Sequence, residues 1–226
     1  MKKYIILMIA IFLIVSCSHS QEKSETETTK SEDTKTVDTS MSFFVTSVNP
    51  WKWANFWGLT WADDYCKLLA TNAWAWSKSW KAYLSTAATD GNPAVNARDR
   101  IWTGPWYNAV WTLIAANVEE LHTNNSINKG NWLDENGNSV MWRGDETNRH
   151  DILTWSTPDW MVGNFTCSNW TSTSAEWSAI VWHHDRMWLD ESDGAKSWNS
   201  SHPSKWCALE NLKKTGWDWL IYCFAG

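Results

Sequence analysis

Trp57-Gly58-Leu59-Thr60-Trp61-Ala62-Asp63-Asp64-Tyr65-Cys66 opens the first helix of the chain and sets the frame for the rest. Thr60 reads as an N-cap, with Asp63 three residues on, close to a capping box. Behind it Cys66, Leu69, Ala70 and Ala73 fall at i, i+3, i+4 and i+7, one apolar face of a helix. Upstream, Ser42-Phe43-Phe44-Val45-Thr46-Ser47-Val48 reads as a first strand. Downstream, Trp80, Ala82 and Leu84 alternate as a strand does, and Asn117 to His122 reads as a short helix. Leu220-Ile221-Tyr222-Cys223-Phe224 is a β-rich run, expected at the centre of a sheet. Long polar loops rich in Gly, Asn, Asp and Pro lie between. The expected class is α+β, loop-rich.

The N-terminus is of another kind. Met1-Lys2-Lys3 is basic, and Tyr4 to Val15 carries no charge. That run is short for a bilayer span but suits the h-region of a signal peptide. It closes on Ile14-Val15-Ser16-Cys17, which resembles the bacterial lipobox, and this implies acylation of Cys17 after cleavage. More than one acyl chain there makes the anchoring stable. Ser, Thr, Glu and Lys dominate the next stretch, which cannot bury enough surface to offset its ordering entropy. The expected organisation is a signal peptide at 1–17, a flexible tether at 18–41 and one domain at 42–226. The expected location is the cell envelope, lipid-anchored and extracytoplasmic. A net charge of −6 argues against nucleic acid as a partner.

The composition holds an anomaly. The chain has 22 Trp and only 10 Gly, although glycine is ordinarily among the commonest residues. Tryptophan stands where turn chemistry asks for glycine, as in Pro50-Trp51-Lys52-Trp53-Ala54-Asn55, Ala73-Trp74-Ala75-Trp76-Ser77 and Thr215-Gly216-Trp217-Asp218-Trp219. Some bacterial lineages read UGA as glycine. Translated with a table that gives tryptophan, their scattered glycines become tryptophans. Trp80, Trp106, Trp170 and Trp198 have neighbours that suit a ring; taking these four from the 22 leaves eighteen expected glycines. The rival reading is an aromatic surface for stacking on sugars. Such a platform needs a few rings on one face, not eighteen scattered along the chain.

Cys17 aside, four cysteines remain: Cys66, Cys167, Cys207 and Cys223. An even number in an exported domain argues for two disulfides, and the count leaves three pairings open. No spacing is of the C-x-x-C kind that marks metal or redox sites.

With the misread glycines restored, the opening string becomes Gly-Gly-Leu-Thr-Gly-Ala-Asp, leading into Tyr65-Cys66. Trp80-Lys81-Ala82-Tyr83-Leu84-Ser85, Ala97-Arg98-Asp99-Arg100-Ile101, Asp151-Ile152-Leu153-Thr154-Trp155-Ser156, Thr166-Cys167-Ser168-Asn169-Trp170-Thr171 and Tyr222-Cys223 follow. This order resembles the endostatin-like branch of the C-type-lectin-like superfamily, which includes bacterial lipoproteins of unknown function. The resemblance covers nearly all of 42–224. It implies a compact, disulfide-pinned α+β fold with nested bridges, Cys66–Cys223 outside and Cys167–Cys207 inside.

Several residues are candidate ligand-binding positions. Sugar-binding C-type lectins carry Trp-Asn-Asp before the third cysteine; here Trp198-Asn199 is followed by Ser200. The lost carboxylate weakens a calcium site, so no cofactor is expected, calcium being the one considered. Trp198 reads better as a core residue. Asp134-Glu135-Asn136-Gly137-Asn138 alternates oxygens but lacks the distal glutamate of a calcium loop, and a hairpin turn is the preferred reading. His183-His184-Asp185 with His202 is the most chemical-looking group, and Asp190, Glu191 and Asp193 lie nearby. Adjacent residues on a strand face opposite ways, so only one of His183 and His184 can readily join His202. No hydrolase elbow, H-E-x-x-H, phosphate loop or dinucleotide fingerprint is present. The expected function is non-catalytic binding of a glycan or surface protein. A structural envelope module docking a protein partner comes second, and a metal enzyme using His183, His184 or His202 third.

Overall fold

A computed structural model describes residues 41–49, 57–172, 174, 177–184, 197–208 and 217–226. The expected signal peptide with Cys17, the expected tether up to residue 40 and Asp185 lie outside the described residues, as do Asp190, Glu191 and Asp193. The elements run β1 (Phe43–Val45), α1 (Leu59–Asn72), β2 (Trp80–Ala82), a 3-10 turn (Ala97–Asp99), β3 (Trp106–Tyr107) and β4 (Leu113–Ala115). They continue with α2 (Val118–Thr123), β5 (Asp151–Leu153), α3 (Cys167–Trp170), β6 (Ile180–His183), β7 (His202–Pro203) and β8 (Trp217–Ala225). The class is mixed α+β. Among the described residues no helix is long and apolar enough to cross a membrane.

The last strand organises the domain. β8 pairs antiparallel with β1 and β2 through its C-terminal half and parallel with β5 through its N-terminal half. β6 and β7 extend the sheet beyond β5, in the order β1-β8-β5-β6-β7. Residues of β8 alternate between two cores, as the two-residue period of a strand requires. Ile221, Cys223 and Ala225 pack with α1 on one side, while Leu220, Tyr222 and Phe224 pack with Phe43, Trp106 and Trp198 on the other. Burial on both faces explains why the strand reads as a continuous apolar run.

On α1, Cys66, Leu69 and Ala70 are buried as the periodicity predicts. The capping expectation is corrected. The N-cap is Gly58, at φ 92°, with no side-chain cap. Asp63 is drawn elsewhere: its carboxylate accepts from Lys81 Nζ, from the backbone N–H of Ala82 and from the Arg100 guanidinium. Asn117, by contrast, does cap α2, accepting from Glu120 N–H at 2.8 Å. Gly137, at φ 82°, sits in the turn that Asp134 ties together by accepting from Asn136 and Asn138 N–H.

Two disulfides pin the frame. Cys66 on α1 joins Cys223 on β8, and Cys167 joins Cys207 inside that loop.

Among the described residues, twelve that are not glycine have positive φ, and nine of them are tryptophan. Trp219 shows why. The stretch Trp217-Asp218-Trp219, expected as a turn, belongs to β8, and Trp219 at φ 63° lies where its register against β5 shifts. A bulge of this kind favours glycine. Trp170 behaves differently: its φ is positive along with those of Cys167, Ser168 and Asn169, yet its ring is buried and donates from Nε1 to Ser85 O. Trp80 likewise donates from Nε1 to Ala75 O.

Candidate functional site

The histidines meet where three strands run side by side. Asp151 opens β5 and stands opposite His183 at the end of β6, and His202 of β7 pairs with Val181 one turn of the pleat away. His150 immediately precedes β5. The Nε2 atoms of His150 and His183 lie 3.2 and 3.1 Å from Asp151 Oδ1. His183 Nε2 is also 2.9 Å from His202 Nε2. One nitrogen of each of His150 and His183 and one oxygen of Asp151 all fall within 4.8 Å of one another.

His150 and Asp151 are buried, whereas the His183 side chain is 20% exposed, so solvent reaches the group from the β6–β7 side. Burial, with His183, Arg143, His184 and His202 nearby, pushes the His150 imidazole down to about 3.

The far nitrogen of each ring is held by oxygen. His150 Nδ1 contacts Asn148 Oδ1, which also accepts the His150 backbone N–H. His202 Nδ1 donates to Pro203 O at 2.9 Å, and His183 Nδ1 lies 3.3 Å from Ser201 Oγ. Two imidazoles and a carboxylate are a donor set suited to a transition metal.

The other candidates fall apart from this group. His184 is buried and turns its Nε2 to Met141 O at 2.8 Å, on the opposite side from His183, as strand alternation requires. Trp198 is a core residue. Asn199 is fully buried, its amide accepting from Ser197 Oγ and donating to Thr157 O. His150 and Asp151 carried no local signal of their role, because their partners stand more than thirty residues along the chain. Only the pairing of β5 with β6 brings them together.

Away from this group, a concavity of about 350 Å³ lies beside α1 between Thr60, Asp64, Lys67 and Trp102. Asp63 and Lys81 at its edge are bonded to each other. No protein-family model matches the chain, and no curated protein matches it.

Proposed function

We propose that this chain is a lipid-anchored, cell-surface protein of the envelope whose C-type-lectin-like domain binds a ligand rather than transforming one. The ligand is a glycan or a protein displayed on a neighbouring surface. The observation that carries this reading is the nesting of Cys167–Cys207 within Cys66–Cys223, the arrangement that the resemblance implies. It ties the first helix to the last strand and leaves the intervening loops on a fixed scaffold, where binding residues commonly sit. The lipobox at Cys17 and the polar tether supply the anchor. The glycine reading of eighteen tryptophans belongs to the same proposal, because it restores the loop motifs that carry the resemblance.

The test is binding of the mature protein to a broad glycan array, with calcium and then with chelator, beside affinity capture from envelope fractions. Chelator-sensitive retention of a defined glycan supports the lectin form, and stoichiometric capture of one surface protein supports the protein form. Neither outcome, with both bridges intact, removes the binding reading.

A further inference from the structure

The β5–β6–β7 cluster poses a proton-counting problem. Asn148 Oδ1 accepts the His150 backbone N–H, so the oxygen of that amide faces the ring and His150 Nδ1 must donate to it. Pro203 O can only accept, so His202 Nδ1 must donate as well. A neutral imidazole with its proton on Nδ1 presents a lone pair at Nε2. His150 Nε2 and Asp151 Oδ1 are then two acceptors facing each other across 3.2 Å. A third acceptor, His202 Nε2, stands 2.9 Å from His183 Nε2. A proton on His183 Nε2 can serve Asp151 Oδ1 or His202 Nε2, whereas a metal ion set among His150, Asp151 and His183 serves its donors together, and one ligand atom of each lies within 4.8 Å of the others.

The structure assigns a zinc-class metal site to His150 Nε2, Asp151 Oδ1 and His183 Nε2, with His202 bordering it through a 2.9 Å contact to His183 Nε2. The spacing fits. Zinc bonds to nitrogen and oxygen of about 2.0–2.1 Å in a tetrahedron place neighbouring donors about 3.3 Å apart. The observed separations of 3.2 and 3.1 Å to Asp151 are close to that edge.

The chemistry fits too. Calcium would ask for six to eight oxygens, and magnesium for an octahedron of them. Imidazole nitrogens with one carboxylate select zinc and its transition-metal neighbours. The oxygens on the far side of the rings do what outer partners of metal-binding histidines do: they fix the tautomer and the ring plane. Asp151 and His183 sit on paired strands, so two of the donors are set by the ladder itself. None of the four is a tryptophan or adjoins the N-terminal anchor, and the assignment holds whether or not the domain binds a glycan or a surface protein.

The full-length oxidised protein, stripped with chelator, is loaded with zinc, dialysed exhaustively and analysed for metal. Cobalt is then substituted to read coordination geometry from its visible spectrum. One zinc per chain is expected, with a cobalt spectrum of tetrahedral intensity. The double variant His150→Ala/His183→Ala should lose the metal, and affinity should fall at least a hundredfold. His184→Ala should retain it, since that ring bonds Met141 O. Should the double variant fail to fold, His202→Ala on the half-exposed edge strand replaces it, with an expected loss of tenfold or more. Wild type holding well under one zinc per chain with both bridges formed would overturn the assignment. So would equal loss of metal in His184→Ala.

Discussion

The Arg100 guanidinium meets both carboxylate oxygens of Asp63, at 2.8 and 3.0 Å, with the two side chains only 12% and 11% exposed. Arg100 also donates to Ala82 O, and Asp63 accepts from Ala82 N–H and Lys81 Nζ. One carboxylate thus clamps α1, β2 and the 3-10 turn. Burial pushes the guanidinium below its ordinary value and Asp63 pulls it back. Asp63→Asn leaves a buried cation short of its partner, which costs about 3–5 kcal/mol. Urea unfolding measures it. A loss below about 1 kcal/mol would place the pair with exposed salt bridges and end the clamp description.

The two bridges should differ in what they contribute. Cys66 and Cys223 are 157 residues apart, and Cys167 and Cys207 are 40 apart. On the chain-entropy account the outer bridge contributes on the order of 5 kcal/mol and the inner on the order of 4 kcal/mol. Cys66→Ala/Cys223→Ala should therefore lower the unfolding midpoint more than Cys167→Ala/Cys207→Ala. Non-reduced peptide mapping checks the pairing directly, and a peptide linking Cys66 to Cys167 would contradict it.

His122 gives the domain an acid-sensitive core. Its Nδ1 donates to Val118 O, and its Nε2 accepts from the Tyr83 hydroxyl at 2.7 Å, so the neutral ring is the bonded form. Burial lowers its pKa from 6.5 to about 4. Between these values the unfolded chain holds more protons than the folded one. Stability from this group is therefore complete above pH 6.5 and falls as pH drops to 4, by on the order of 3 kcal/mol. The His122 share is the difference between wild type and His122→Gln in urea midpoints followed from above pH 7 to pH 4. Parallel curves would mean that His122 titrates alike in both states.

What could be read from the chain and what could not divide along sequence distance. The central position of Leu220 to Phe224, the helix through Cys66 and Leu69, and the short helix after Asn117 rest on local periodicity and composition, which survive folding. The role of Asp63 did not, because a carboxylate near a helix start signals a cap unless Arg100, 37 residues on, draws it away. The histidine group was half legible. Strand alternation separates His183 from His184, but nothing near His150-Asp151 marks a partner across the sheet. Trp198 and Asn199, drawn from a motif, lie buried in internal packing.

The tryptophans give the last prediction. Holding an L-residue with a side chain in the left-handed region costs roughly 1–2 kcal/mol. Eight of the nine left-handed tryptophans, all but Trp170, are among the eighteen, and their cost would sum to on the order of 10 kcal/mol, comparable with the whole net stability of a domain. Glycine adopts the same backbone without that steric penalty. Several of these rings also gain little from burial, Trp57 being 74% and Trp74 85% exposed. Peptide mass spectrometry of the native protein over 50–79 is therefore expected to find glycine at Trp51, Trp53, Trp57, Trp61, Trp74 and Trp76. A gene encoding glycine at the eighteen positions should yield a domain that folds with both bridges, and the tryptophan-encoding gene should not. Tryptophan masses in the native peptides would reverse the argument: the left-handed rings would be real, and an aromatic sugar-stacking surface would become the leading account of the loops.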